Sequence, residues 1–378
     1  MKFTSLVEGL KKAVIMAERA TGKNLTLPVL NNLLLEIKKG QLKISATDLE
    51  IGLDTYVSGK SEKEGDKEEG ISVPAKTLSN FLSNLSEEKI VLESKDNVLS
   101  IKSGNFDATI QGLSSQDFPV IPEIKSDNFF ELENMVLFNA LSQIINSAGY
   151  TNGRPELNGI LFDYNESELK LVSTDSFRLS EKTLKENQFK TNQKSNLRVV
   201  IPLKTAQEVL RISQDLKPEG NHMVKIIIDP NQICFHFGFL TLISRLIEDN
   251  FPKYENIVPK KFDTNIASSK KSLMDAIRIA GLFAGKSNDI KWQLYPNQKE
   301  IIIGSEDPSL GKGQSKVEVQ ITGAEMEIKF NYRYLLDGLN NIGFNQISIG
   351  LNTDSSPVLF RAAEDESYIY ILMPLKIQ

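Results

Sequence analysis

Thr174, Asp175, Ser176 and Arg178 crowd into LKLVSTDSFRLS, the stretch from Leu169 to Ser180. A carboxylate, two hydroxyls and a guanidinium this close together invite a catalytic reading. The chain itself weakens it. LKISATDLEIGL, from Leu42 to Leu53, repeats the pattern with Leu49 and Ile51 in place of Ser176 and Arg178, so only Thr-Asp is common to both. Serine hydrolysis also needs a base held beside the nucleophile, and the chain has 2 histidines and no Gly-x-Ser-x-Gly elbow.

His222 lies in a polar turn, PEGNHM, and His236 on a strand; neither has a second ligand at helical or hairpin spacing, so the usual zinc sites are not expected. Cys234, in ICFHFGF, is expected to be a buried or half-buried strand thiol, and a single cysteine leaves no internal disulfide. GKGQS, from Gly311, has glycine rather than Ser or Thr after Lys312, with no glycine at the required distance upstream. It is expected to be a flexible loop and not a phosphate loop. No metal and no cofactor are expected.

The elements that position these residues are bounded first by size. A chain of 378 residues is too long for one ordinary core and implies two or three domains. Hydrophobic content of 40% with 25% charged residues is that of a soluble globular protein. Net charge of −5 announces neither nucleic acid nor anionic membrane, although a locally basic surface is compatible with an acidic total. No run of 18 apolar residues is present, and MKFTSLVEGLKK has helical amphipathic spacing rather than a leader's pattern, so a cytoplasmic location without membrane contact is expected.

The echo of Thr-Asp belongs to a larger repeat. Three segments open with an amphipathic helix, from Ser5, Asn134 and Lys270, with apolar stripes Leu6, Leu10, Val14 and Ala17; Met135, Phe138, Leu141 and Ile145; and Leu273, Ala276, Ile277 and Ala280. Each continues as strand, polar turn, strand, with turns at Lys39-Gly40, Asn165-Glu166 and Pro296-Asn297. A second helix follows near Val73, Ile201 and Phe330, Pro74 and Pro202 standing at or just before its first turn. Further strands close each copy, and DFPVIPEI and NFPKYENIVP mark the first two boundaries. SEKEGDKEEG, from Ser61 to Gly70, reads as a solvated hairpin loop.

The expected fold class is α+β: three repeated domains, 1–125, 126–259 and 260–378, each with two helices packed on largely antiparallel sheet. Asp48, Asp175 and Asp307 occupy equivalent places in the copies, so they do not converge on one site; accepting backbone N–H bonds in a turn explains their recurrence. Binding or scaffolding, rather than catalysis, is the expected class of function.

These copies, in this order, resemble the bacterial sliding clamp family, the beta subunits of replicative DNA polymerases. The resemblance spans essentially the whole chain, through MKFT at Met1, TLPVLNNLLLEI from Thr26, ATDLE at Ala46, VPAK at Val73, DFP at Asp117, RPELNGILFD from Arg154, STDSFRLS from Ser173, FPKYENIVP from Phe251, GAEMEIKFNYRYLLDGLNNI from Gly323 and the terminal YIYILMPLK. It implies DNA-clamp domains forming half of a six-domain ring: a head-to-tail homodimer that encircles double-stranded DNA without reading its sequence, slides, and tethers the polymerase III alpha subunit. A clamp loader that consumes ATP opens the ring, and other polymerases and repair proteins dock through short linear motifs of the Gln-Leu-x-Leu-Phe kind.

The residues that match the family's docking groove are Leu157, Thr174, Ser176, Phe177, Arg178, Leu179, Pro252, Asn256, Ile257, Ile371, Leu372, Met373, Pro374, Leu375 and Lys376. Apolar walls with a few orienting polar groups suit such a peptide, and methionine repacks around different anchors. DNA-facing positions are Lys12, Lys76, Lys204 and Arg278 on helices and Lys23, Asn24 and Arg154 in loops. Lys11, Arg19, Lys270, Lys271, Arg211 and Arg333 add to a mildly positive lining, Asn139, Ser142, Gln143 and Asn146 supply the third helix's polar face, and Glu8, Glu208 and Asp275 dilute the charge. Ala108, Leu282 and Phe283 match dimer-interface positions.

The chain departs from the family pattern at Ser176-Phe177, where many clamps have Gly-His, at Asn256, near which a basic residue is common, and at Ala108, where a large apolar residue is common. Two other readings stay open: a three-domain enzyme using Asp175, Arg178 and Lys376, and a monomeric interaction scaffold that keeps the groove without the ring.

Overall fold

The computed structural model describes all residues except 23–26, 62–69, 151–152, 217–219, 221 and 377–378. Six α-helices appear among the described residues: α1 (Val7–Glu18), α2 (Ala75–Ser83), α3 (Asn134–Ile144), α4 (Leu203–Asp215), α5 (Lys270–Gly281) and α6 (Tyr332–Asn341). They alternate with short antiparallel strands in the thrice-repeated order. α5 and α6 begin on side-chain caps, Ser269 accepting from the Ser272 N–H and Asn331 from those of Arg333 and Tyr334, each cap contributing about 1 kcal/mol. α2 follows directly on Pro74, whose missing N–H removes a donor the first turn cannot satisfy.

The apolar stripes are those of the sequence with two corrections. Leu6 ends the strand Lys2–Leu6 and is exposed, while Val7, Leu10, Val14 and Ala17 form the buried face of α1. In α3 the buried row is Leu137, Ala140, Leu141 and Ile144; Met135, Phe138 and Ile145, one residue round the helix, are only partly covered.

The chain folds as two compact units. One comprises residues 1–137, 190–193 and 207–246. Its five-stranded sheet runs Gly59–Ser61, Lys2–Leu6, Lys89–Lys95, Val98–Ser103, Phe106–Gln111, ending on an open edge at the last. Its ten-stranded sheet passes from Asn32–Lys38 through Gln41–Thr47 and Ile51–Val57 directly to Leu240–Arg245, Gln232–His236 and Met223–Ile228. α1 packs on α2 and on the strands Gln41–Thr47 and Ile51–Val57.

The other unit comprises residues 138–189, 194–206 and 247–378. Its nine-stranded sheet passes from Gly159–Asn165 through Glu168–Thr174 and Arg178–Lys185 to Tyr368–Leu372, Val358–Ala362, Gln346–Leu351 and Thr264–Ser269. A four-stranded sheet ends on an open edge at Gly311–Glu318. α5 packs on α6 and on this sheet.

Sheets are therefore shared across the sequence repeats. Ile51–Val57 of the first copy pairs with Leu240–Arg245 of the second, and Arg178–Lys185 of the second with Tyr368–Leu372 of the third. Pairing one copy's outer strand with the next satisfies a row of N–H and C=O groups that an edge would leave open.

Three local expectations fail. GKGQS is part of the strand Gly311–Glu318, in register with Glu300–Asp307, and not a flexible loop. Its glycines serve packing, since a Cβ at Gly313 would collide with the Phe283 ring. The acidic stretch at 61–70 does not close a hairpin: Gly59–Ser61 pairs with Lys2–Leu6, whereas Gly70–Pro74 pairs with Asn32–Lys38. Its residues 62–69 lie outside the described residues. The second hairpin turns at Glu166-Ser167, one residue later than expected, with Glu166 at φ 42°.

Candidate partner-binding groove

The repeated Thr-Asp is a turn that ties its own backbone. Asp175 Oδ1 accepts the N–H groups of Phe177 (2.9 Å) and Arg178 (2.9 Å), and Thr174 Oγ1 accepts from Ser176 N (3.2 Å) while donating to Arg178 O (2.7 Å). The first copy repeats each bond: Asp48 Oδ1 with Glu50 N (3.0 Å) and Ile51 N (2.8 Å), Thr47 Oγ1 with Leu49 N (3.0 Å) and Ile51 O (2.8 Å). The central residues match too, Leu49 at φ 75° and Ser176 at φ 76°. Asp307 keeps only the acceptor, taking Ser309 N at 2.8 Å. The recurrence is thus structural, as a carboxylate accepting turn N–H bonds requires.

What the second copy adds is Arg178. Its Nε donates to Asp175 Oδ2 (3.0 Å), its Nη1 to Asp337 Oδ2 (2.6 Å), and its guanidinium lies 4.2 Å from the centre of the Tyr334 ring. Burial opposes its charge, but Asp337 and Asp175 outweigh it and hold the pKa above the usual arginine value. With both oxygens engaged by N–H donors, Asp175 is an anchor for the turn and for Arg178. Tyr334 and Asp337, one helical turn apart on α6, escaped sequence reasoning because they reach Arg178 only through the fold. Gly338 beside them leaves room for the Tyr370 ring, whose Oη donates to Tyr334 O at 2.8 Å.

Around this anchor the second unit brings most of the expected groove residues together. Leu179 pairs with Ile371 and Arg178 with Leu372, and Met373 N donates to Phe177 O (2.8 Å), so the terminal segment runs beside the turn. Leu157, Thr174, Leu179, Ile371 and Leu372 are buried; Leu179 and Ile371 share a core cluster with Leu161, Val172, Phe251 and Tyr254. Phe177 is 60% and Ile257 51% exposed. Met373, Pro374, Leu375 and Pro252 are half-buried, and Ser176, Asn256 and Lys376 are exposed. A buried floor with exposed apolar walls can take apolar anchors of a peptide, each contributing about 1.5–3 kcal/mol before ordering costs.

Of the other expected positions, Lys76, Lys204 and Arg278 are exposed on α2, α4 and α5, and Lys12 is half-buried on α1, 6.0 Å from the Phe239 ring centre. Arg278 pairs with Asp275 (3.1 Å). Lys23 and Asn24 lie outside the described residues. Arg154 sits beside the groove, its Nη1 donating to Ser176 Oγ (3.2 Å). Gln143 and Asn341 bond each other's backbone, tying α3 to α6. Glu208 is not a surface acid: it is 4% exposed beside Arg211 and Arg19, and burial raises its pKa.

Ala108 lies on the open edge strand Phe106–Gln111, Leu282 is 70% exposed after α5, and Phe283 rests on the edge strand Gly311–Glu318. Cys234 is buried, its Sγ 3.3 Å from His236 Nε2, and burial pushes its thiol up to about 12. Among the described residues no cluster of three or more His, Cys, Asp or Glu side chains could hold a metal ion, and no helix is long and apolar enough to cross a membrane.

Comparison with known proteins accounts for the whole chain. Models of the DNA polymerase III beta subunit match in succession: the N-terminal domain over residues 1–122, the central domain over 131–253 and the C-terminal domain over 255–376. The beta sliding clamp of Pseudomonas putida is 30% identical over 380 residues, and that of Escherichia coli K12 27% over 379, each covering 100% of both chains. A crystal structure of the DNA polymerase III subunit beta from Pseudomonas aeruginosa has a TM-score of 0.91 at 27% identity, again over 100% of both chains. With three successive domain models matched from Met1 to Lys376, the chain belongs to the DNA polymerase III beta subunit family.

Proposed function

We propose that this chain is a DNA polymerase processivity factor, two copies of which close head to tail around duplex DNA, slide on it and tether the replicative polymerase. The observation that carries this is the unbroken succession of three matched clamp domains. Domains at 1–125, 126–259 and 260–378 are our division of the chain. The copies would join through two different open edges, Phe106–Gln111 bearing Asp107 and Gly311–Glu318 bearing Lys312 and Lys316. A contact between unlike surfaces closes into a ring when its rotation closes.

In this reading Lys12, Lys23, Asn24, Lys76, Arg154, Lys204 and Arg278 face DNA and make weak phosphate contacts, suited to sliding because topology, not affinity, retains the ring. The groove around Leu179, Phe177, Ile257 and Met373 takes short linear motifs of the polymerase III alpha subunit, the clamp loader, other polymerases and repair proteins. The chain acts in the cytoplasm and performs no catalysis, since Asp175 and Arg178 satisfy each other.

Retention on singly nicked circular DNA tests this. After loading with the cognate loader and ATP, the protein is expected to stay on circles in high salt and to run off once they are linearised. Equal loss from both forms would refute topological binding. One observation favours a second reading, a monomeric scaffold: on the edge strand Phe106–Gln111 Phe106 is the one large apolar side chain that is exposed, Ile110 being buried and Ala108 small. A monomer at micromolar concentration in sedimentation velocity would select it.

A further inference from the structure

Beside the groove lies a second opening, a cavity of about 310 Å³ whose wall includes Asp163, Glu168, Lys170, Arg198, Tyr254 and Glu255. It is short of positive charge. Arg198 is committed to Glu255 (2.8 Å) and Asp163 (3.4 Å), and Lys170 to Glu181 (3.2 Å). Burial lifts the Asp163 carboxyl above its usual range even with Arg198 beside it, and Glu255 adds to the rise. Tyr254 lines the cavity and is 3% exposed, with the Glu181 carboxylate near its buried hydroxyl.

The cavity and the groove share structure. Tyr254 belongs to the buried cluster that contains Leu179 and Ile371, Arg198 also donates to Pro252 O (3.3 Å), and Glu255 stands two residues from Ile257.

We propose that this cavity takes the lysine or arginine side chain flanking the apolar anchors of a partner peptide, a reading that rests on the groove assignment. The cation joins Glu255, Glu168 and Asp163. A basic flank then becomes part of what this chain selects in a partner, where the apolar anchors alone would not discriminate.

Fluorescence polarisation on the full chain at low salt tests this with labelled Gln-Leu-Ser-Leu-Phe peptides, bare or extended on either side by Lys-Lys or Glu-Glu. On one side, the lysine extension is expected to bind about tenfold tighter than the glutamate one, as one well-placed charge pair gives. Glu255→Lys and Glu168→Lys should each shrink that preference and leave the bare core peptide's affinity as in the parent chain. Equal affinity for both extensions, or a preference that survives both substitutions, overturns the proposal and leaves the groove standing. Failure of the bare core to bind overturns the groove reading and this one with it.

Discussion

Asp175→Ala and Asp48→Ala remove the same turn anchor from two copies of one motif, and the difference between them isolates what the second copy has gained. Each aspartate accepts two backbone N–H bonds at 2.8–3.0 Å. Hydrogen bonds to a charged acceptor contribute about 1.5–3 kcal/mol, and in surface turns the lower end applies, giving for two bonds a local loss of about 3 kcal/mol for either substitution. Asp175 additionally holds Arg178, both side chains being mostly buried at 14% and 11% exposure. Because Asp337 keeps its own bond to Arg178, that pair adds only about 1 kcal/mol.

A chain of several domains has no single unfolding free energy, so native-state hydrogen exchange at the turn amides is the suitable assay. A peptide titration accompanies it. Asp175→Ala should weaken groove binding about tenfold, equivalent to about 1.4 kcal/mol, while Asp48→Ala leaves it unchanged. Asp175→Asn should recover the turn bonds but not the pairing with Arg178. Equal weakening of peptide binding by Asp48→Ala and Asp175→Ala would refute the reasoning, as would unchanged exchange in both.

Ser176→Gly and Leu49→Gly relieve left-handed backbone at φ 76° and 75° and should each slow turn exchange, by up to about 1 kcal/mol once glycine's own entropy is deducted. His236 titrates below its ordinary value of 6.5 because of burial and Lys225; the folded state therefore favours the neutral ring, a contribution present above 6.5 and lost as pH falls through it toward the folded value. His236→Gln should accordingly lose less protection than the parent chain between about pH 7.5 and about 5.5 in native-state hydrogen exchange of the strand Gln232–His236, rates being normalised to the intrinsic ones. Leu282→Asp, at a side chain 70% exposed in one copy, should weaken dimerisation at least tenfold by analytical ultracentrifugation, from a lost burial of about 1.5–3 kcal/mol.

Features fixed by neighbouring residues are legible in the amino-acid sequence itself. The Thr-Asp turn can be read because its donors and acceptor lie within four residues, and the six helices because their apolar spacing and caps are local. Reading fails where distant contacts decide. Gly311 to Ser315 looks like a loop by composition, yet pairing with Glu300–Asp307 and the Phe283 ring make it a strand. Tyr334 and Asp337 lie more than 150 residues from Arg178 along the chain, so no spacing rule finds them. The acidic cavity is invisible for the same reason: Asp163, Arg198 and Glu255 come from three separated segments.

The strands shared between repeats have a mechanical consequence. Within one chain, each joint between copies is a ladder of five residue pairs, Leu240–Ser244 with Ile51–Thr55 and Arg178–Lys182 with Tyr368–Leu372, backed by a covalent connection. A hoop built from two such chains contains joints of two grades, those reinforced by continuous polypeptide and those made by contact alone. Under outward strain the second grade yields first, however alike the ladders are. Opening the hoop to admit DNA thus requires no rupture inside a protomer.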